Sequence, residues 1–284
     1  MQMADAEMDD EQRAVYGNLH KTMRGNEKGH DQDEETPGFV YNDRLTNVHE
    51  KEFGVEMTPA GLRQIIDQWC AQGVENDEGN WVNRKDAELV RVWTKWEGSE
   101  YNQSIPVIKA IHYFPDIEDP IIIKRAFIDF RTEWDYQIET NIELTEFTNK
   151  NMEVRYIKNK TVANTQQRDF IDKKIWFTTS EASGTAVNEE DDEIYVYVTS
   201  APNELYAIDD RYMRGDTLFG YNRIGRRKDG KPGCYIHCNS QTDVKINPWF
   251  NLVLQKIVAG QMTEWGINFR KYCAENKEKL LRGK

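Results

Sequence analysis

The feature that most constrains this chain is a series of short strand-like segments followed by one long amphipathic helix. The segments alternate apolar and polar residues between turns rich in Gly, Asn, Asp and Lys; they span residues 142–148, 152–158, 168–179, 193–200, 214–225 and 234–241. The helix is predicted from about Pro248 to Lys279; its apolar seam contains Phe250, Leu254, Ile257, Met262, Trp265, Phe269 and Tyr272. An α+β fold follows, in which a curved antiparallel sheet packs around the long helix.

The segments before this series predict two helices and two strands. Residues 58–73 begin with Thr58 as an N-cap and Pro59 at the first helical position, which predicts a helix. Strands are predicted at 88–96 and 105–114. Residues 119–135 predict a second helix, with its apolar stripe at Ile123, Phe127, Phe130 and Trp134.

The first 57 residues differ in composition from the rest. They hold 14 Asp and Glu against 6 Lys and Arg, which is −8 of the net charge of −12. Few apolar residues recur there with any period, so we predict a largely disordered acidic tail over 1–57 and one folded domain over 58–284.

The composition also restricts function and location. A net charge of −12 is unsuited to binding a nucleic-acid backbone. No apolar run approaches the roughly 20 residues of a membrane span, and the N-terminus has no apolar signal segment, so a cytoplasmic location is expected. Cys234 and Cys238 lie on a predicted strand, too far apart to share a zinc ion, so no metal site is expected. No catalytic motif is recognisable, and we expect no enzyme and no cofactor.

Four short motifs occur in an order that resembles the START family of lipid-transfer domains. They are Asp119-Pro120 with Arg131 and Trp134-Asp135, R-D-F-I at 168–171, Met213-Arg214-Gly215, and DVKINPWF at 243–250. The resemblance covers about residues 58–280 and is nearest to the branch that resembles phosphatidylcholine transfer protein. It implies a helix-grip fold, with a U-shaped sheet around a hydrophobic tunnel under the C-terminal helix. It also implies that one phospholipid or sterol is carried between membranes without covalent chemistry.

Arg131 and Asp135 have two interpretations. At a spacing of i,i+4 they can form a surface ion pair, worth only about 0.3–0.5 kcal/mol. The resemblance implies instead that Arg131 binds a lipid phosphate while Asp135 holds the arginine, and a guanidinium suits a phosphate in an apolar tunnel.

The resemblance also identifies positions that select the headgroup. A choline cage would use Ile157, Phe170 and Leu218, of which one is aromatic, so Tyr156, Trp176 or Tyr221 would have to compensate.

The acid–base pair of sterol carriers would fall on Arg155 and Lys174, two bases, which disfavours a sterol. With Asp172 as counter-charge, a basic cavity for a phosphate headgroup is expected if these side chains point inward; alternation leaves open which strand face does so. The predicted ligand-binding set is Arg131, Asp135, Arg155, Tyr156, Phe170, Asp172, Lys174 and Trp176.

The last prediction concerns the entrance. Trp249, Phe250, Val253 and Ile257 are expected to form the lid and to touch membranes transiently, and loop 159–167 is expected to part from the helix. The alternative functions are a sterol carrier, a lipid sensor and a helix-grip enzyme of the cyclase type.

Overall fold

The computed structural model describes residues 57–72, 80–95, 105–160, 166–245 and 251–283, and over 251–259 only the helical backbone. The predictions for residues 1–56 therefore lie outside the described residues. The helices in chain order are α1 Pro59–Ala71, α2 Pro120–Ile128, α3 Thr179–Ser183, α4 Asn251–Glu275 and α5 Lys277–Arg282. The strands are β1 Trp81–Ala87, β2 Val90–Lys95, β3 Val107–Phe114, β4 Ile138–Glu143, β5 Met152–Asn159, β6 Arg168–Thr178, β7 Ile194–Ser200, β8 Met213–Arg214, β9 Asp216–Arg226 and β10 Cys234–Asp243.

The strands form one sheet, which confirms the predicted α+β class. Its order is β1-β2-β3-β10-β9-β7-β6-β5-β4, with every neighbour on this path antiparallel. The short strand β8 lies outside the path and pairs in parallel with the start of β6. There Arg214 donates to both carboxylate oxygens of Asp169, at 3.1 and 2.9 Å. This ion pair attaches β8 to the start of β6.

Helices cover both faces of the sheet. Helix α1 begins as predicted, because the Thr58 hydroxyl accepts the Gly61 N–H at 3.1 Å. Leu62, Ile66 and Trp69 of this helix are buried against one face of the sheet, which we call the outer face, and form part of a first core. The opposite face, which we call the inner face, packs against α2 and α4 in a second core. Both faces of the central strands are therefore dry.

Strand β6 shows how alternation divides between these faces. Ile171, Ile175 and Phe177 belong to the outer core. Trp176 packs against the inner core instead, and by alternation Asp172 and Lys174 share its face. The question that the sequence left open is therefore answered, since these polar side chains lie on the face that the C-terminal helix covers.

The predicted helix over 119–135 is wrong in its second half. Helix α2 ends at Ile128, and Arg131–Glu133 form a separate 3₁₀ turn. The cause is local competition for carbonyl groups. Phe130 N–H donates to Arg125 O at 3.1 Å rather than to Ala126 O, and Ala126 O accepts the Trp134 indole N–H at 2.8 Å.

Three further boundaries differ from the predictions. Strand β1 was missed because four consecutive residues at its centre, Asn83 to Asp86, are polar and give no alternation. The segment 142–148 is not one strand, since β4 ends at Glu143 and a 3₁₀ turn follows at Thr145–Phe147. The long C-terminal helix is interrupted at Asn276, and its predicted start, Pro248, lies outside the described residues.

The two glycines of helix α4 have different surroundings. A Cβ on Gly266 would collide with the ring of His112, which is fully buried. A Cβ on Gly260 would meet nothing within 4 Å. Gly266 therefore permits a close approach of the helix to the inner face.

We expect Gly266→Ala to lower the free energy of unfolding by about 1–3 kcal/mol, because the methyl group forces helix α4 away from strand β3. Gly260→Ala is the matched control in the same helix and should raise stability by up to about 1 kcal/mol through helix propensity. Urea unfolding measures both. Equal effects of the two substitutions would contradict the close approach.

Candidate functional site

A group of charged side chains crosses the inner face, and we call it the polar belt. Its members are Arg131, Asp135, Glu153, Arg155, Asp172 and Lys174. Four of them come from two adjacent strands, where Glu153 lies opposite Lys174 and Arg155 opposite Asp172. Directly opposite residues of an antiparallel pair point to the same face, so these four side chains lie together.

Glu153 is the centre of this group. Its two carboxylate oxygens lie 2.8 Å from Lys174 Nζ and 2.7 Å from Arg155 Nε. Burial opposes ionisation of Glu153, but the charges of Lys174 and Arg155 hold its pKa below the usual value. Burial lowers the pKa of Lys174, whose side chain is fully buried, and Glu153 counteracts that shift. A buried triad of one acid and two bases therefore lies on the inner face.

Asp172 is the least satisfied member of the polar belt. Its Oδ1 is buried and has no hydrogen-bond partner among the described residues. Burial raises the pKa of Asp172, while a hydrogen bond with Thr217 and the charges of Lys174 and Arg131 oppose the rise. An unpaired buried acceptor costs about 1–3 kcal/mol, so this oxygen is suited to accept a donor from a ligand.

Arg131 and Asp135 form the predicted ion pair, on a turn rather than on a helix. Arg131 Nε donates to Asp135 Oδ2 at 3.0 Å, and the Asp135 side chain is only 1% exposed. The same oxygen accepts the indole N–H of Trp265, from helix α4, at 3.2 Å. The Arg131 side chain is 25% exposed, and within the described part of the chain its terminal nitrogens donate to no protein group. This is not a free surface pair.

The expectation of a basic cavity is wrong. The bases Arg131, Arg155 and Lys174 face the acids Asp135, Glu153 and Asp172, and Glu143 adds another contact to Arg155 at 3.1 Å. Sequence reasoning missed Glu153, although its position two residues before Arg155 on a strand indicates the same face. The sequence placed Trp265 on the apolar seam of the helix and gave no sign of the hydrogen bond that its indole N–H donates to Asp135.

Apolar side chains border the polar belt on two sides. One side is an aromatic cluster in which Trp134 stacks on Phe269 at 4.3 Å and contacts Trp265 edge-on at 5.1 Å between ring centroids. The other side is a small apolar group that contains the predicted Phe170 together with Ile138, Ile157 and Val244. Charged groups thus lie between two apolar regions of one face.

The remaining predicted aromatic residues do not assemble into a cage. Tyr156 was wrongly included in the set, because it alternates with Arg155 and lies in the outer core, where it stacks on Tyr206 at 3.9 Å. Leu218 and Tyr221 also belong to the outer core. Trp176 is on the inner side, but Lys124 Nζ lies 4.6 Å from its ring centroid. The Trp176 ring therefore already forms a cation–π contact with a lysine of the protein.

The predicted entrance falls largely outside the described residues. Trp249 and Phe250 lie there, as do residues 161–165 of the loop at 159–167. Val253 and Ile257 belong to helix α4, in the part described by its backbone alone. No described helix has the length and apolarity needed to cross a bilayer. The described residues also contain no cluster of three His, Cys, Asp or Glu that could hold a metal ion.

Comparison with known proteins identifies the fold. No protein-family model matches the chain, and a search of curated proteins found no match. Among solved structures, human STARD10 is similar, with 17% identity and a TM-score of 0.58 over 86% of each chain. Human StAR-related lipid transfer protein 5 is similar with 14% identity and a TM-score of 0.57, over 78% of this chain and 98% of that one. The protein therefore has the helix-grip fold of START lipid-transfer domains, which confirms the resemblance at the level of the fold.

We expect Glu153→Gln to lower the free energy of unfolding at neutral pH by about 3–5 kcal/mol, because Lys174 would keep a buried charge without its counter-ion and Arg155 would keep only its contact with the partly exposed Glu143. The matched control is Glu143→Gln. Glu143 is 35% exposed, and its loss should cost less than about 1 kcal/mol. Urea unfolding of both variants checks this, and similar losses would show that the triad does not stabilise the fold.

The same triad predicts a pH dependence. The folded pKa of Glu153 lies below the ordinary value of 4.5, so its contribution is present above that value and is lost as the pH falls through the folded pKa. We therefore expect the stability gap between wild type and Glu153→Gln to be constant above about pH 5.5 and to narrow below about pH 4.5. Unfolding curves between pH 3 and pH 7 measure it. A gap that widens in acid would contradict the assignment.

Proposed function

We propose that this protein binds one phospholipid between the inner face and helix α4 and carries it between membranes, with Arg131 binding the phosphate. The observation that carries the proposal is the polar belt itself. Desolvating charged groups costs several kcal/mol per ion, and well-packed apolar residues of similar volume often serve stability equally well. Charges held between two apolar regions, beside an arginine with terminal nitrogens unused by the described residues, suit a ligand with a charged head and apolar tails.

The chemistry of Arg131 supports a phosphate. Its Nε is engaged by Asp135, so the guanidinium is held in one orientation while its terminal nitrogens remain for a ligand. A guanidinium donates two parallel hydrogen bonds to phosphate oxygens, and charge-assisted bonds of this kind are about twice as strong as neutral ones. The loss of a phosphate contact should therefore appear directly in affinity.

The groups around Arg131 favour a headgroup that carries a hydrogen-bond donor. Asp172 Oδ1 is an unused acceptor among the described residues. The acids of the polar belt balance its bases, so the belt has no net positive charge to attract a strongly anionic headgroup. Trp176 is already covered by Lys124, which disfavours a quaternary ammonium. A phosphate next to an amine or a hydroxyl fits these groups best.

A sterol is the second candidate, because one observation now favours it. Sequence reasoning disfavoured a sterol because Arg155 and Lys174 are both bases, but Glu153 places an acid between them. An acid and a base on adjacent strands can together bind a hydroxyl group. Glu153 already uses both oxygens for those bases, which keeps the phospholipid as the first proposal.

Transport requires contact with a membrane, and we propose that it is transient and occurs at the start of helix α4, in the cytoplasm. Trp249, Phe250, Val253 and Ile257 remain the predicted contact residues. The basic C-terminus contributes less charge than its sequence suggests, since Lys279 pairs with Glu133 and Arg282 with Glu278. Deleting residues 1–57 separates a carrier from a sensor, since transfer between vesicles should persist only if the proposed domain at 58–284 is the carrier.

We expect purified protein to contain about one phospholipid per chain. Native mass spectrometry followed by phosphorus analysis measures it. A single sterol without phosphorus would select the second candidate. Turnover of a bound small molecule would instead indicate an enzyme.

We expect Arg131→Ala to weaken phospholipid binding by about 10- to 100-fold, which corresponds to the 1.5–3 kcal/mol of a hydrogen bond to a charged group. Arg211→Ala is the matched control, because Arg211 is 79% exposed and, among the described residues, forms its ion pair with Asp209, two positions away. Loading from phospholipid vesicles measures both variants. Unchanged loading of Arg131→Ala would remove this arginine from the site.

A further inference from the structure

The turn that carries Arg131 is attached to the C-terminal helices through two acids, Glu133 and Asp135. Asp135 accepts the Trp265 indole N–H at 3.2 Å. Glu133 accepts the Tyr272 hydroxyl at 2.8 Å and lies 2.6 Å from Lys279 Nζ. Trp265 and Tyr272 lie on helix α4, whereas Lys279 lies on α5. The last helices of the chain therefore position a turn more than 120 residues earlier.

The link at Asp135 is the closer of the two to the guanidinium. Asp135 Oδ2 accepts hydrogen bonds from Arg131 Nε, at 3.0 Å, and from Trp265, while Oδ1 accepts the Gln137 backbone N–H at 3.2 Å. The carboxylate is almost fully buried, so protein groups rather than bulk water fix its orientation. Asp135 Oδ2 thus connects helix α4 to Arg131, the residue proposed to bind the phosphate.

The packing around Trp265 makes this link depend on the position of helix α4. The Trp265 ring lies 5.2 Å from His112, 5.1 Å from Trp134 and 5.0 Å from Phe269, between ring centroids. Gly266 brings the helix against His112 at the same level. A displacement of α4 from the sheet would withdraw the indole N–H and expose Asp135 to water.

We propose that Trp265 is a positioning residue that couples closure of helix α4 to the grip of Arg131 on the lipid phosphate. This inference rests on the proposed function. With the helix closed, Asp135 is held by Trp265 and in turn holds the guanidinium. When the helix moves away at a membrane surface, water replaces the indole, and Arg131 loses its fixed support. Opening the lid and releasing the headgroup are then one event.

The coupling must operate in both directions. If closure of helix α4 strengthens phosphate binding, a bound phosphate stabilises the closed helix by the same factor. A bound lipid would therefore keep helix α4 closed while the protein crosses the aqueous phase. Contact between helix α4 and a membrane would oppose the closed position of the helix and favour release of the lipid.

The test is a double-mutant cycle between Trp265→Phe and Arg131→Gln. Phenylalanine keeps an aromatic ring in the cluster and removes the donor. Loading is measured from vesicles of phosphatidylcholine, phosphatidylethanolamine and phosphatidylinositol, by the phosphorus that stays with the protein after gel filtration. We expect Trp265→Phe to weaken loading by about tenfold in the wild-type background and to have little further effect in Arg131→Gln.

Trp134→Phe is the matched control, because it makes the same change in the same cluster but removes a bond to Ala126 O instead. Hydrogen exchange of residues 260–275 gives a second measurement. Loading should slow exchange in wild type and in Trp134→Phe but not in Trp265→Phe.

The outcomes separate the inference from the proposed function. Equal losses from Trp265→Phe in both backgrounds, or an effect no different from that of Trp134→Phe, would overturn the inference alone, provided that Arg131→Gln loads poorly. If wild type takes up no phospholipid, or Arg131→Gln loads like wild type, the role of Arg131 fails and the coupling fails with it.

Discussion

The structure depends on one constraint, which is that its large sheet is apolar on both faces and must be covered on both. Helix α1 buries Trp69 and its neighbours against the outer face, and helices α2 and α4 cover the inner face. Exposed apolar surface costs about 25 cal/mol per Å², so neither cover is dispensable. Part of the inner cover, helix α4, comes from the end of the chain and contacts Glu133 and Asp135, which lie much earlier in the sequence.

The polar belt is the exception to this apolar interior. Glu153 contacts both Lys174 and Arg155, Asp135 contacts Arg131, and Asp172 lies opposite Arg155, so the acids of the belt equal its bases in number. Two groups of the belt remain open to a ligand among the described residues: the terminal nitrogens of Arg131, and Oδ1 of Asp172, which lacks a hydrogen-bond partner. A donor and an acceptor left over between apolar regions match an amphiphile with a polar head. These atoms are the reason that we propose a ligand with a phosphate.

Much of the fold was predictable because its signals are local. Period-two alternation predicted β5 to β7, β9 and β10, and the Thr58 cap predicted the start of α1. The helix over 119–135 was wrong beyond Ile128, since Trp134 takes a carbonyl that a continuing helix needs, and that bond depends on the folded-back turn. In the site, Arg131 and Asp135 were paired correctly, whereas Tyr156 was placed on the wrong face and Glu153 was overlooked.

The sequence by itself determined which residues of each strand share a face, because side chains alternate in any extended chain. Only the tertiary structure decided which of the two faces is the inner one. In β6 one alternating set is Ile171, Ile175 and Phe177, and the other is Asp172, Lys174 and Trp176. Polarity suggests that the second set is wet, but helix α4 and the 131–135 turn cover its face, and the counter-ions come from a neighbouring strand. Burial is a property of what lies above a face, and alternation carries no information about that.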